Sequence, residues 1–137
     1  MARADCEHRG RWHKRGKPIV YCAGSAAAAL LETLVHAEID AEDIPVAFRY
    51  LEIEVDDSVM VETIQQADLG SAWRSRLDRT RRTGDEWLRS GRAALLRVPS
   101  AIAPETWNFL INPAHAESAA IRIAKVHRHV VDRRLLR

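Results

Sequence analysis

Six histidines, two cysteines and a dense set of arginines are the side chains here most able to hold an ion or a charged ligand. A structural zinc site needs three or four thiolates and imidazoles converging on one point. Cys6 and Cys22 lie sixteen positions apart with no CxxC pair, and Cys6, His8 and His13 fall in a terminal stretch. His127 and His129 stand two apart, the spacing of one strand face. No metal is expected, and these histidines read as surface residues. Two unpaired thiols point to a reducing compartment, the cytoplasm. The runs Arg74 to Arg82 and Arg128 to Arg137 could neutralise phosphates. Neither comes with the aromatic stacking pattern of an RNA-binding sheet or a helix-turn-helix, so a basic nucleic-acid-binding domain stands only as an alternative. The chain has no Walker loop, GxGxxG, HExxH or GxSxG, which removes the common nucleotide-binding, metalloprotease and hydrolase signatures.

The elements that must position any site are legible from periodicity. Pro18 to Cys22 is short, apolar and β-branched and ends at Gly24, which predicts a strand. Ser25 is a suitable N-cap for a helix from Ala26 to Ala37, rich in alanine and leucine. On it Leu31, Leu34 and Val35 share a face and Glu32 falls to one side, which puts that carboxylate at the boundary between core and solvent. Val46 to Val55 predicts a strand with a phase slip at Tyr50 and Leu51 that permits a bulge. Met60 to Ala67 is expected as a short helix. Trp73 to Arg82, with five arginines and little apolar material, is expected as a mobile loop. A helix over Asp85 to Ser90 should stop at Gly91. Strands are predicted at Ala94 to Val98, at Trp107 to Ile111 and from Ile121 through Val126. The sum is an α+β domain with a sheet of about five strands and few helices.

Length and composition agree. With 137 residues, 47% hydrophobic and 29% charged, the chain reads as one domain, residues 1–137, that buries a substantial core, and not as a disordered, collagenous or disulfide-scaffold sequence. The net charge of +2 hides an uneven distribution: Glu32 to Asp68 holds eleven acidic residues against Arg49 alone, so the remainder carries +12. Such asymmetry suggests an anionic ligand or partner for the basic parts, although a charge run is more often a solvated face. The uncharged run Pro18 to Leu31 follows a basic start, as in a secretory leader. Its fourteen residues are too few to span a bilayer as a helix, which takes about 20, and Tyr21, Gly24 and Ser25 interrupt it.

An ordered set of motifs adds a resemblance. Arg11-Trp12-His13, then Gly16, the Val20-Tyr21 strand, Leu31-Glu32 and His36 are followed by Gly84-Asp85-Glu86-Trp87-Leu88, Val98-Pro99-Ser100, Asn108 to His115, and Asp132 to Leu135. From about Gly10 to Leu135 the chain resembles the RES-domain toxins of bacterial toxin–antitoxin pairs. The resemblance implies a mixed sheet like that of ADP-ribosyltransferases, consumption of NAD as substrate with no cofactor, and in some members ADP-ribosylation of a protein. It places the family's arginine, glutamate and serine on Arg11, Glu32 and Ser100, and an active-site tyrosine on Tyr21. It also implies an Xre-like antitoxin that blocks the active site, a homodimer within that complex, and contact with nucleic acid only through the antitoxin. The family pattern has a strand ahead of the Arg-Trp motif. Only Met1 to Gly10 precede Arg11 here, so that strand is expected to be missing, and a binding module with impaired turnover is the alternative.

These residue types suit the implied reaction. Nicotinamide leaves NAD as a neutral molecule, so the leaving group needs no general acid. The demand is for negative charge beside the ribose carbon as an oxocarbenium ion develops, and Glu32 can supply it. Arg11 offers a forked cation for the pyrophosphate or ribose region. Tyr21 can stack on the nicotinamide ring, and Ser100 can bond the substrate or position Glu32.

Overall fold

The computed structural model describes residues 3–5, 10–14, 16–36 and 42–136. Its main sheet has five strands: β1 (Arg3–Asp5), β2 (Ile19–Ala23), β4 (Val61–Thr63), β5 (Leu95–Pro99) and β6 (Trp107–Ile111), in the order β1-β2-β6-β5-β4. All neighbours are antiparallel except β4 and β5. The remaining strands, β3 (Ala47–Val55) and β7 (Ile121–Val130), form a separate antiparallel ribbon. The helices are α1 (Ala26–His36), α2 (Gln66–Leu69) and α3 (Leu77–Ser90), with 3-10 turns at Trp73–Ser75, Ala116–Ala120 and Arg133–Leu136. The α+β class holds, with strands divided between two sheets rather than gathered in one.

The two faces of the main sheet have different fates. Ile19, Leu96, Val98 and Leu110 point to one side and pack with Trp12, Leu69, Trp73, Trp87 and Leu88 into the hydrophobic core. Cys22, Leu95, Phe109 and Ile111 point to the other, where they share a cavity of about 690 Å³ with Tyr50 and Ile53 of the ribbon. The ribbon's register shifts between Glu52 and Ile53, two residues from the expected slip.

Four expectations are corrected. Trp73 to Arg82 is not a mobile loop: it forms a 3-10 turn and the first half of α3. The buried positions of α3 are Thr80, Gly84, Trp87 and Leu88, a helical stripe whose first half consists of small residues, so a count of apolar side chains misses it. Gly84 is small by necessity, because a Cβ there would overlap the Trp12 carbonyl oxygen. Its C-terminal end is as predicted, with Gly91 left-handed at φ 62° and its N–H bonded to the Trp87 carbonyl.

Met60 to Ala67 is not one helix. Val61 and Thr63 are β-branched and extend the sheet beside β5, a pairing that Ile64 continues by donating to the Arg97 carbonyl at 2.9 Å. The short α2 follows, its start closed by Gln65 N–H on Asp68 Oδ2 at 3.0 Å. On α1, Ser25 caps as expected, its Oγ accepting from Ala28 N–H at 3.1 Å. Leu31 and Val35, however, are 39% and 52% exposed, and it is Ala29 that meets the sheet, which turns Glu32 inward. Finally, the edge of β2 is not bare: Arg3 lies opposite Tyr21 and Asp5 opposite Ile19.

Candidate active site

Glu32 is the centre of a hydrogen-bonded cluster built from three elements. Its Oε1 accepts from Ser100 Oγ at 2.8 Å and from Asn108 Nδ2 at 2.7 Å. Its Oε2 lies 3.6 Å from Nε2 of His36, one turn further along α1. Burial raises the carboxyl's pKa, but the bonds from His36, Asn108 and Ser100 outweigh it and the net shift is downward. The group is therefore a held carboxylate with one oxygen fully engaged and the other on the histidine side.

Ser100 is 2% exposed and follows the strand-ending Pro99. Its Oγ also accepts the N–H groups of Ile102 and Ala103, both at 3.2 Å, so the hydroxyl proton is committed to Glu32 while the lone pairs fix the turn into β6. Asn108 comes from β6 on the face that carries Leu110. Strand pairing thus sets both donors: Val98 opposes Asn108 and Pro99 opposes Trp107.

Arg11 sits in the loop ahead of β2, and α3 holds that loop. Thr80 Oγ1 donates to the Arg11 carbonyl at 2.7 Å, Arg81 Nε to the Gly10 carbonyl at 2.9 Å, and Asp85 Oδ1 accepts from Lys14 N–H at 3.1 Å. The Arg11 guanidinium donates through Nη1 to the Arg74 carbonyl at 2.9 Å. Burial lowers its pKa, helped by the charges of Arg81 and Arg74 and opposed by that of Glu32. Arg11 and Glu32 thus lie within electrostatic reach of one another. The positive charge of Arg11, Arg74 and Arg81 in the field of the Glu32 carboxylate suits a ligand with an anionic part and a developing positive part.

Of the four residues singled out by sequence, Glu32 and Ser100 are in contact and Arg11 shares their field. Tyr21 lies opposite Leu110 on β2, its ring packed against the core and its hydroxyl 2.6 Å from Nδ1 of His13, beside the Arg11 loop. His13 is fully buried, which corrects its reading as a surface residue. His127 and His129 are exposed on β7, the former 2.8 Å from Glu52. Cys6 and His8 lie outside the described residues.

Sequence reasoning missed Asn108, His36, Thr80 and Arg81 as parts of the site. Asn108 had a signal: asparagine is a poor strand former, and one inside an apolar strand needs a polar partner. Thr80 and Arg81 had none, because their contacts are to backbone 69 and 71 positions away.

A family model described as RES domain matches residues 4–133. The chain is similar to Toxin Res of Pseudomonas putida, 47% identical over 116 residues that cover 83% of this chain and 79% of that protein. It is also similar to the Prs ADP-ribosylating toxin of a Sphingobium species, 40% identical over 132 residues, 93% of this chain and 81% of that protein. Toxin Res of Yersinia enterocolitica is 38% identical over 108 residues, 77% and 69% of the two chains. A match of this extent, over the same residues that build the Glu32 cluster and the Arg11 loop, shows that the chain belongs to the RES domain family.

Proposed function

We propose that this chain is a toxin that cleaves NAD at the nicotinamide–ribose bond. The observation that carries this reading is the Glu32 carboxylate, held ionised by Ser100, Asn108 and His36 within the field of Arg11. In the proposed step the C1′–N bond breaks with both electrons going to the nicotinamide nitrogen, which leaves neutral. Positive charge develops on the ribose carbon and ring oxygen. Glu32 stabilises it as a fixed negative charge that needs no reorganisation during the reaction, because Ser100 and Asn108 already orient it. A water then adds to C1′ and releases a proton, which gives ADP-ribose. A protein side chain in place of water gives ADP-ribosylation, and the name of the Sphingobium relative supports that branch as a second outcome. Arg11 meets phosphate or ribose oxygens that are present before reaction, so it binds substrate rather than stabilising the transition state selectively.

The same reading extends to setting and partner. The toxin acts in the cytoplasm, and an Xre-like antitoxin covers the site. A carboxylate-ended or acidic segment would match the cations around Arg11 as the substrate's phosphates do. No helix among the described residues is long and apolar enough to cross a membrane.

The test is direct. Purified protein incubated with NAD should release nicotinamide, followed by chromatography, and co-expression of the neighbouring antitoxin should suppress both release and growth arrest. Salt-sensitive binding to labelled DNA or RNA without NAD turnover would instead favour the basic-patch alternative.

A further inference from the structure

We infer that His13 is a positioning residue, acting through the Tyr21 hydroxyl to fix the loop that carries Arg11, and that its Nδ1 atom is the part that matters. The inference deepens the NAD reading by assigning Tyr21 a role other than stacking on the nicotinamide ring.

Two groups of the loop converge on one hydroxyl. Trp12 N–H donates to Tyr21 Oη at 3.4 Å, and Tyr21 Oη lies 2.6 Å from His13 Nδ1. The Tyr21 hydroxyl therefore joins the Trp12 amide to the His13 ring. The two rings are tilted at 43° with centroids 5.6 Å apart, and His13 is 0% exposed. Gly10 closes the loop over this bond: a Cβ there would overlap Tyr21 Oη and come within 2.7 Å of His13 Nδ1. Arg11 lies between Gly10 and Trp12. With α3 holding the loop's carbonyls from one side and Tyr21 holding it from β2, the backbone at Arg11 is fixed from two elements.

The geometry separates this role from a merely structural one. Nδ1 of histidine occupies the place of the side-chain oxygen of asparagine, one bond beyond Cγ, whereas the glutamine amide sits one bond further out. His13→Asn should therefore keep a hydrogen-bonding atom against the Tyr21 hydroxyl, and His13→Gln should not. Tyr21→Phe keeps the ring and removes the clamp. If Arg11 binds substrate in the ground state, a loosened loop should raise KM for NAD about fivefold, the scale of one lost hydrogen bond, and leave kcat within about twofold. A stacking role for Tyr21 predicts the opposite, a near-parental Tyr21→Phe.

The experiment combines two readouts on the full chain. Hydrogen exchange of the Gly10 to Lys14 amides, measured by mass spectrometry without substrate, should quicken in Tyr21→Phe and His13→Gln and stay near parental in His13→Asn. KM for NAD should follow the same pattern, and Tyr21→Phe/His13→Gln should be no worse than Tyr21→Phe alone, because that change already removes the bond to His13. Unchanged loop exchange in Tyr21→Phe and His13→Gln, additive KM effects, or equal behaviour of His13→Asn and His13→Gln would overturn the inference. Faster loop exchange in these variants of a chain that releases no nicotinamide would support the clamp and refute the NAD reading instead.

Discussion

Replacing Glu32 with glutamine separates the charge of the site from its shape. Oε1 accepts from Ser100 at 2.8 Å and Asn108 at 2.7 Å, and a glutamine oxygen can take both bonds. The amide nitrogen then replaces Oε2 and gives up the 3.6 Å contact with the exposed ring of His36. What disappears is one full negative charge, which in the proposed reaction stands beside the developing oxocarbenium ion. Removing a single preorganised electrostatic stabiliser costs about 10²- to 10³-fold in kcat, roughly 3 to 4 kcal/mol. KM should stay within about twofold, since the cation exists only near the transition state. Alanine would be a poorer choice, because it strands the Ser100 and Asn108 donors and mixes misfolding with chemistry. The assay is nicotinamide release at saturating NAD, with circular dichroism on the same preparation. A glutamine variant with parental circular dichroism and kcat within about fivefold of the parent refutes the electrostatic role and leaves Glu32 a structural anchor for the β5–β6 turn.

Other outcomes follow from the same geometry. Asn108→Ala removes one of the bonds that lower the Glu32 pKa, so the acid limb of the kcat profile should move toward higher pH. In the parent, the depressed value means that the stability Glu32 contributes is full above the unfolded carboxylate value of about 4.3 and is lost as pH falls through the lower folded value; equilibrium unfolding across acid pH reads this sign. Gly84→Ala drives a methyl into the Trp12 carbonyl and should cost about 3 kcal/mol or more in denaturant unfolding, at the upper end for overpacking. Burial pushes the Cys22 thiol up to about 11, so at pH 8 iodoacetamide should leave Cys22 unmodified until the protein unfolds, as site-resolved mass spectrometry can show.

The sequence made the strands legible because β2, β3, β5, β6 and β7 carry β-branched and aromatic runs bounded by Gly, Pro or charge. It misrepresented α3 because Thr80 and Gly84 fill a narrow space under the Trp12 backbone, a demand set by a segment about seventy positions earlier. It placed Glu32 at a boundary by the wrong face of α1: Leu31 and Val35 look like core but are left in solvent, and the helix turns instead to satisfy a carboxylate. Motif order singled out Arg11, Glu32 and Ser100, of which the fold brings Glu32 and Ser100 into contact. The contacts of Asn108, Thr80 and His13 were not legible, since each depends on which backbone or side chain the fold brings opposite.

The distance along the chain between Glu32 and its two donors has a consequence for synthesis. Ser100 and Asn108 lie 68 and 76 positions downstream, and β3 waits for β7 to complete its ladder, with Ile53 opposite Ile123. Contacts of such long range form late, after most of the polypeptide has left the ribosome. A nascent chain that ends before Ser100 has the carboxylate but neither group that orients it, and prematurely terminated products should leave NAD intact; nicotinamide release by a fragment ending at Pro99 would contradict this. On the proposed function, this spacing would keep the chain inert throughout most of its own translation, because the carboxylate stays unoriented until both donors have been made.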